Sequence, residues 1–245
     1  MAVSHQSGIH AGWQLPPDLR LQLLAALSAQ SDSEPTLTYQ EFLDWADEDT
    51  LAEWVDGKVI MTSPASLRHQ LMAKLLSGLL SAYVEVKNLG IVVDAPFQMK
   101  LPRSSREPDV LFVATAHLDR LTETYLNGPA DLAIEIVSPE SKGRDRGDKF
   151  YEYESAGVAE YWLIDSENTR AEFYHRDAEG KYQIVAVDKD HIYRSQALPG
   201  FWLDVTWLWQ NPLPPLQQVT LAVAGAEYAD HLIQQLRQGG YLGTS

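Results

Sequence analysis

Hydrophobic and polar positions change rhythm several times along the 245-residue chain. Residues 66–86, SLRHQLMAKLLSGLLSAYVEV, place Leu71, Leu75, Leu79 and Tyr83 four apart, the spacing of one helical face, and Gly90 follows close behind. Short blocks rich in β-branched and aromatic residues come next and predict strands at 91–94, 97–101, 109–113, 132–138 and 160–165. Before the long helix, Asp56-Gly57 divides two strand-forming runs and predicts a hairpin over 51–63. Thr38 followed three residues later by Glu41 is a capping box, so a short helix starts there. Residues 16–30 read as an amphipathic helix with Leu21, Leu23, Leu24 and Leu27 on its apolar side, after a tail.

Downstream, 143–158 reads as mostly helical and ends at Gly157. AEFYHRD and KYQIVAV form a second hairpin across Asp177–Gly180, 191–209 is aromatic and punctuated by Pro and Gly, and 217–237 reads as a C-terminal helix. This alternation predicts an α/β (α+β) domain. The five strands named first are expected in one mixed sheet, flanked by helices 66–86 and 145–156 and supplemented by hairpins. The expected organisation is a tail and short helix over 1–35, a domain over 36–210 and a helical extension over 211–245.

One residue breaks the pattern. Leu132, Ala133, Ile134, Ile136 and Val137 describe a strand buried on both faces, yet Glu135 sits in its middle. A lone ionised carboxylate there is costly unless it is paired. Two other strand candidates carry an acid near their start, Glu53 and, after Pro108, Asp109. Taken singly, Glu53 and Asp109 also read as solvated or salt-bridged acids, and a buried Arg or Lys would satisfy Glu135. A hard divalent cation satisfies all three together, because Mg²⁺ takes carboxylate and carbonyl oxygens plus water.

Composition narrows the setting. Apolar residues make up 45%, enough for a substantial core, and there are no cysteines, which excludes disulfides and thiolate-held zinc. The N-terminus lacks an apolar signal region and no apolar run approaches a membrane span, so a soluble, cytoplasmic protein is expected. The net charge of −15 argues against nucleic-acid binding as a general property. Two local groups run the other way: Lys100, Arg103 and Arg106, and Lys142, Arg144, Arg146 and Lys149. Each adjoins an acid-bearing strand and reads either as a phosphate-contacting patch or as a solvated charge run.

EPDVLFV followed by AIEIV resembles the PD-(D/E)XK nuclease superfamily. The ordered blocks EWVDGKVIMTSPASLRHQ, REPDVLFV, LAIEIVSPES and RDRGDKFYEYESAGVAEYWLID resemble, more narrowly, the Uma-type restriction endonuclease family of bacteria. The resemblance runs over roughly residues 38–207. It implies a restriction endonuclease-like fold, Mg²⁺ with Mn²⁺ as a substitute, and DNA cleavage. It implies metal binding by Asp109 and Glu135, a metal-facing carbonyl from Ile136 and an assisting role for Glu53. The superfamily lysine two residues after the Glu is replaced by Val137, and its implied substitute is Lys149 from the following helix, with Lys142 as runner-up. Taken alone, Lys149 reads equally as an exposed helix residue pairing with Asp145. His69 borders the site in this resemblance and is a candidate only. Arg103, Arg106, Arg144 and Arg146 are the candidate DNA contacts, and a homodimer that cuts both strands is expected. Trp202, Trp207 and Trp209 read first as core, second as a dimer surface.

Two classes of function remain open: a Mg²⁺-dependent endonuclease that attacks phosphodiesters with water, and a nuclease-fold protein that binds or assembles without cleaving. Hydrolysis of RNA or of another phosphate ester is a third possibility that sequence does not separate from the first.

Overall fold

The structure is a computed structural model and describes residues 36–46, 50–61, 65–138 and 142–241, apart from the side chains of Lys142 and Arg144. The helix expected at 16–30 lies outside these residues. Helix α1 (Tyr39–Trp45) begins on the anticipated capping box: Glu41 accepts from the Thr38 amide at 2.8 Å, and the Thr38 hydroxyl accepts from the Glu41 amide at 3.2 Å. Strands β1 (Ala52–Val55) and β2 (Lys58–Met61) form the predicted hairpin. Its turn residues Asp56 and Gly57 have φ of 49° and 84°. Positive φ at both positions matches the twist of the flanking strands. A Cβ on Gly57 would also lie 2.6 Å from Thr36.

Helix α2 (Leu67–Lys87) buries Met72, Leu75, Leu76, Leu79, Leu80, Tyr83 and Val84. Leu71, expected on that face, is exposed. The buried stripe follows the i, i+3, i+4 period of a real helix, and Leu71 falls beside it. Asn88 then takes a left-handed conformation, and Gly90 opens strand β3 (Gly90–Asp94). Only glycine fits there, since a Cβ would lie 2.0 Å from the Val113 carbonyl oxygen.

The main sheet is completed by β6 (Val110–Ala114), β8 (Leu132–Val137), β9 (Glu160–Asp165), β10 (Arg170–Arg176) and β11 (Tyr182–Val185). Its order is β11-β10-β9-β8-β6-β3, with β8 and β9 parallel and every other pair antiparallel. One expected member is elsewhere. Strand β4 (Gln98–Lys100) joins β5 (Ser104–Arg106), β7 (Tyr125–Asn127) and the β1–β2 hairpin in a second sheet of order β2-β1-β5-β4-β7. The expected single sheet thus becomes two. A three-residue link turns the chain back on itself, and β4 pairs antiparallel with β5.

Alternation along β8 divides the core. Leu132, Ile134 and Ile136 pack with α2, Trp162, Phe173 and the C-terminal region. Ala133 and Val137 face the opposite side, with Met99, Leu101, Tyr153 and Tyr161. Glu135 shares that second face. The helical run after β8 splits into α3 (Lys142–Arg146) and α4 (Asp148–Ala156). Gly147 lies between them at φ −112°, ψ −91°, outside helical values. Gly157, at φ 96°, ends α4 as expected. Strands β12 (Ile192–Arg194) and β13 (Trp202–Asp204) form a separate pair. Helix α5 (Leu216–Gln238) carries non-helical angles at Gly225, and its Val219 and Ala224 join the α2-side core. Trp207 and Trp209 pack against the same core.

Candidate active site

Glu135 is 4% exposed, and both of its oxygens are engaged by α4. The Lys149 ammonium lies 2.9 Å from Oε2, and the Tyr153 hydroxyl donates to Oε1 at 2.7 Å. Lys149 and Tyr153 are four residues apart, so the helix presents them on one face. The same ammonium, on a residue 5% exposed, lies 3.0 Å from Glu53 Oε1 and 3.5 Å from Asp145 Oδ1. Lys149 is therefore no solvated partner of Asp145 alone. It bridges β1, β8 and the short helix α3.

Arg106 closes the cluster on the other side of Glu53. Its Nη1 donates to Glu53 Oε2 at 3.0 Å, and its Nε and Nη2 reach Glu152 Oε2 at 2.8 Å. The Glu107 amide donates to Glu53 Oε1 at 3.3 Å. Asp109 stands just before β6. Extending the antiparallel register Val110↔Ile134 by one residue sets it across from Glu135. Its Oδ2 accepts from the Ile136 amide at 2.6 Å, and its Oδ1 lies 3.2 Å from His69 Nε2. His69 is in the first turn of α2, where its amide donates to the capping Ser66 hydroxyl. The other imidazole nitrogen, Nδ1, is buried without a hydrogen-bond partner among the described residues.

Burial and neighbouring charge pull these groups in different directions. Burial pushes Glu53 up, but Lys149 and Arg106 outweigh it and hold the carboxyl below its ordinary range. Glu135 is pushed up to about 8, by burial first and then by Asp145, Asp109 and Glu53, with Lys149 opposing. Burial lowers Lys149, yet Glu135, Glu53 and Asp145 raise it further, so its proton is held more tightly than in water. Glu107 is raised to about 7, mainly by burial. Burial lowers His69, but the hydrogen bond and charge of Asp109 prevail and the net shift is upward.

The predicted basic residues divide. Arg106 is 1% exposed and committed to Glu53 and Glu152, so the expected phosphate contact does not carry over to it. Burying a guanidinium needs acids on both sides, and these acids supply them. Arg103 stays at the surface, forked onto Asp56 at 2.7 and 2.9 Å. Arg146 spans Asp165 and Glu172 at 3.2 and 2.9 Å. Lys100 lies over the rings of Trp54 and Tyr39, at 4.6 and 4.8 Å from their centroids. The side chains of Lys142 and Arg144 lie outside the described residues. Sequence reasoning passed over Tyr153, Glu152 and the inward role of Arg106. For Tyr153 a signal existed, the i, i+4 spacing from Lys149.

Two oxygen donors of the hard type face each other here, the carboxylates of Asp109 and Glu135. This donor chemistry fits a divalent cation. Among the described residues no three His, Asp or Glu side chains are spaced to hold an ion as they stand. Lys149 occupies the gap between Glu53 and Glu135.

Mixed sheets flanked by helices make this a restriction endonuclease-like fold. The chain belongs to the Uma2 family, described as "Putative restriction endonuclease", whose model matches residues 39–206. It is similar to an uncharacterized protein of Synechocystis sp., at 25% identity over 154 residues, 62% of this chain and 80% of that protein. It also resembles a crystal structure described as "a putative nuclease belonging to DUF820" from Anabaena variabilis. That match has a TM-score of 0.60 and 17% identity, and covers 71% of this chain and 97% of the other. No helix among the described residues is long and apolar enough to cross a membrane.

Proposed function

We propose that the protein is a metal-dependent endonuclease that hydrolyses DNA phosphodiester bonds, with Mg²⁺ as its ion and Mn²⁺ as a substitute. The observation that carries this reading is Lys149. It comes from the helix after β8, and its ammonium stands 2.9 Å from Glu135 and 3.0 Å from Glu53. A lysine so placed supplies the cation that Val137 cannot.

In this reading Asp109, Glu135 and the Ile136 carbonyl hold the ion, and Glu53 assists. When bound, the ion polarises a phosphoryl oxygen and lowers the pKa of a bound water. Lys149 offsets charge developing on phosphorus. Three surrounding acids hold its proton, which favours this electrostatic role over that of a base. Glu53 and Asp145 keep the ammonium oriented, and Arg106 keeps Glu53 in place. Arg103, paired only at the surface with Asp56, can exchange that partner for a DNA phosphate, because exposed ion pairs are weak. Two copies acting together would cut both strands.

A second reading, a fold that binds or assembles without cleaving, is favoured by the net charge of −15 and by the paired state of the Glu53 and Glu135 oxygens. A cleavage assay on supercoiled plasmid with Mg²⁺ and with Mn²⁺ separates the two. Wild type should nick or linearise the plasmid and Asp109→Ala should not. Intact plasmid with wild type under both metals would leave the second reading standing. RNA run as a parallel substrate tests the choice of nucleic acid.

A further inference from the structure

The two oxygens of Glu135 are occupied from a single helix, one by a neutral hydroxyl and one by a fixed positive charge. These contacts are not equivalent toward a metal ion. The Tyr153 hydroxyl adds no charge and leaves lone pairs on Oε1. The Lys149 ammonium already supplies a positive charge to Glu135, Glu53 and Asp145 within 3.5 Å. A divalent ion on Glu135 would face that charge at close range in a site shut off from water, where like charges repel far more strongly than in solvent.

We propose that Lys149 is the resident counter-cation of this site and that a divalent ion binds by displacing it from Glu135. The proposal rests on the metal reading above and gives it a regulatory step. Without metal, Lys149 lets three buried acids coexist, since a buried carboxylate group without a cation is strongly unfavourable. On metal entry the ammonium leaves Glu135 while Tyr153 keeps its hold on Oε1. A four-carbon stem with free rotation permits this without movement of α4. The released ammonium stays with Glu53 and Asp145, turned away from the ion and toward an arriving substrate phosphate. One event loads the site and frees its lysine.

The consequence runs against the usual effect of removing a site residue: loss of Lys149 should tighten metal binding while it weakens cleavage. Calorimetric titration of Mn²⁺ into wild type, Lys149→Met and Asp109→Asn reads this directly. The expected result is a Kd for Mn²⁺ at least about tenfold lower in Lys149→Met than in wild type, and binding lost in Asp109→Asn. Lys149→Gln, which retains a hydrogen-bond donor, serves if Lys149→Met does not fold. A measurement on wild type alone avoids the folding question. Acetic anhydride labelling read by mass spectrometry should modify Lys149 poorly without metal and several-fold faster at saturating Mn²⁺.

Wild type that binds Mn²⁺ through Asp109, with an equal or higher Kd in Lys149→Met, would overturn the displacement and leave the metal reading intact. Lys149 labelling that stays unchanged at saturating Mn²⁺ would do the same. Absence of Mn²⁺ binding in both wild type and Lys149→Met would overturn the metal reading itself, and the displacement with it.

Discussion

Two buried glutamates stand on adjacent parallel strands and are held in opposite ways. Glu160, the first residue of β9, is 0% exposed and faces the α2-side core. It accepts from Trp162 Nε1 and the Tyr193 hydroxyl at 2.6 Å each and from the Ser195 hydroxyl at 2.9 Å. The Gln196 and Ala197 amides donate to it at 2.8 and 2.7 Å. Glu135, on β8, faces the other side of the sheet and is held by one ammonium and one phenol, both from α4. Five hydrogen bonds from donors on several elements satisfy Glu160 and tie the 195–197 loop to the sheet, with the His175 imidazole 3.7 Å away. Glu135 depends on a cation from a flexible side chain, in a cluster where Glu53, Asp109 and Asp145 compete for positive charge. Burial of a carboxylate is common to both. The kind of partner separates the anchor from the candidate catalytic group.

Cleavage should break this symmetry most strongly. In the protein that folds, Lys149→Ala is expected to lower plasmid cleavage by roughly 10²–10³-fold, the loss seen when one stabilising donor is removed. Glu135→Gln should abolish cleavage with little loss of stability. Equal cleavage by Lys149→Ala and wild type would remove the lysine from the mechanism and turn attention to Lys142.

Stability should show the reverse. Glu160→Ala leaves two hydroxyls, an indole N–H and two amides without their acceptor, and a single unsatisfied buried group costs about 1–3 kcal/mol. A destabilisation of at least about 3 kcal/mol in urea unfolding is expected. A change under about 1 kcal/mol would refute the anchor role.

The pH profile sharpens the contrast further. Glu135 and Glu107 have folded-state values raised to about 8 and about 7, and His69 is also raised. Groups raised on folding stabilise fully below their unfolded values and lose that contribution as pH rises through the folded ones. Thermal stability without metal should therefore fall between about pH 5 and pH 8. Glu135→Gln should flatten the profile, and an unchanged slope in that variant would contradict the assignment. Glu53, held low, acts only at the acid end, where its contribution is lost as pH drops below its unfolded value.

Smaller still is Tyr153→Phe, which removes one hydrogen bond to a buried carboxylate. About 1.5–3 kcal/mol of stability should go, with the helix otherwise intact. Arg103→Ala should leave the melting temperature where it is, because its pair with Asp56 is exposed, while DNA binding becomes less salt-dependent. A salt slope equal to wild type would take Arg103 off the DNA path.

Much of the fold was legible because its signals are local. The Thr38–Glu41 cap, the Asp56-Gly57 turn, the period of α2 and the runs that became β3, β6, β8 and β9 each depend on neighbours within a few residues. Glu135 announced itself by contradiction, a charge in a strand buried on both faces. That Glu53, Glu135 and Lys149 would come together was legible largely through the ordered motifs that also mark the family.

Pairing over long sequence separations was not legible. Nothing in residues 97–101 records that β4 would leave the main sheet for β5 and β7, because strand formers suit any free edge. Arg106 reads as a surface cation in REPDV and becomes one of the largest fully buried side chains only because Glu53 and Glu152, 53 and 46 residues away, meet it. Glu160 gave no warning at all, since its donors lie mostly in the 193–197 segment. By itself the sequence determined which segments would be helix or strand and which charges were costly to bury. Tertiary structure alone decided which partners those charges would find. Backbone conformation is set by contacts a few residues long, whereas the stabilisation of a buried charge depends on groups that only the folded chain brings within 3 Å.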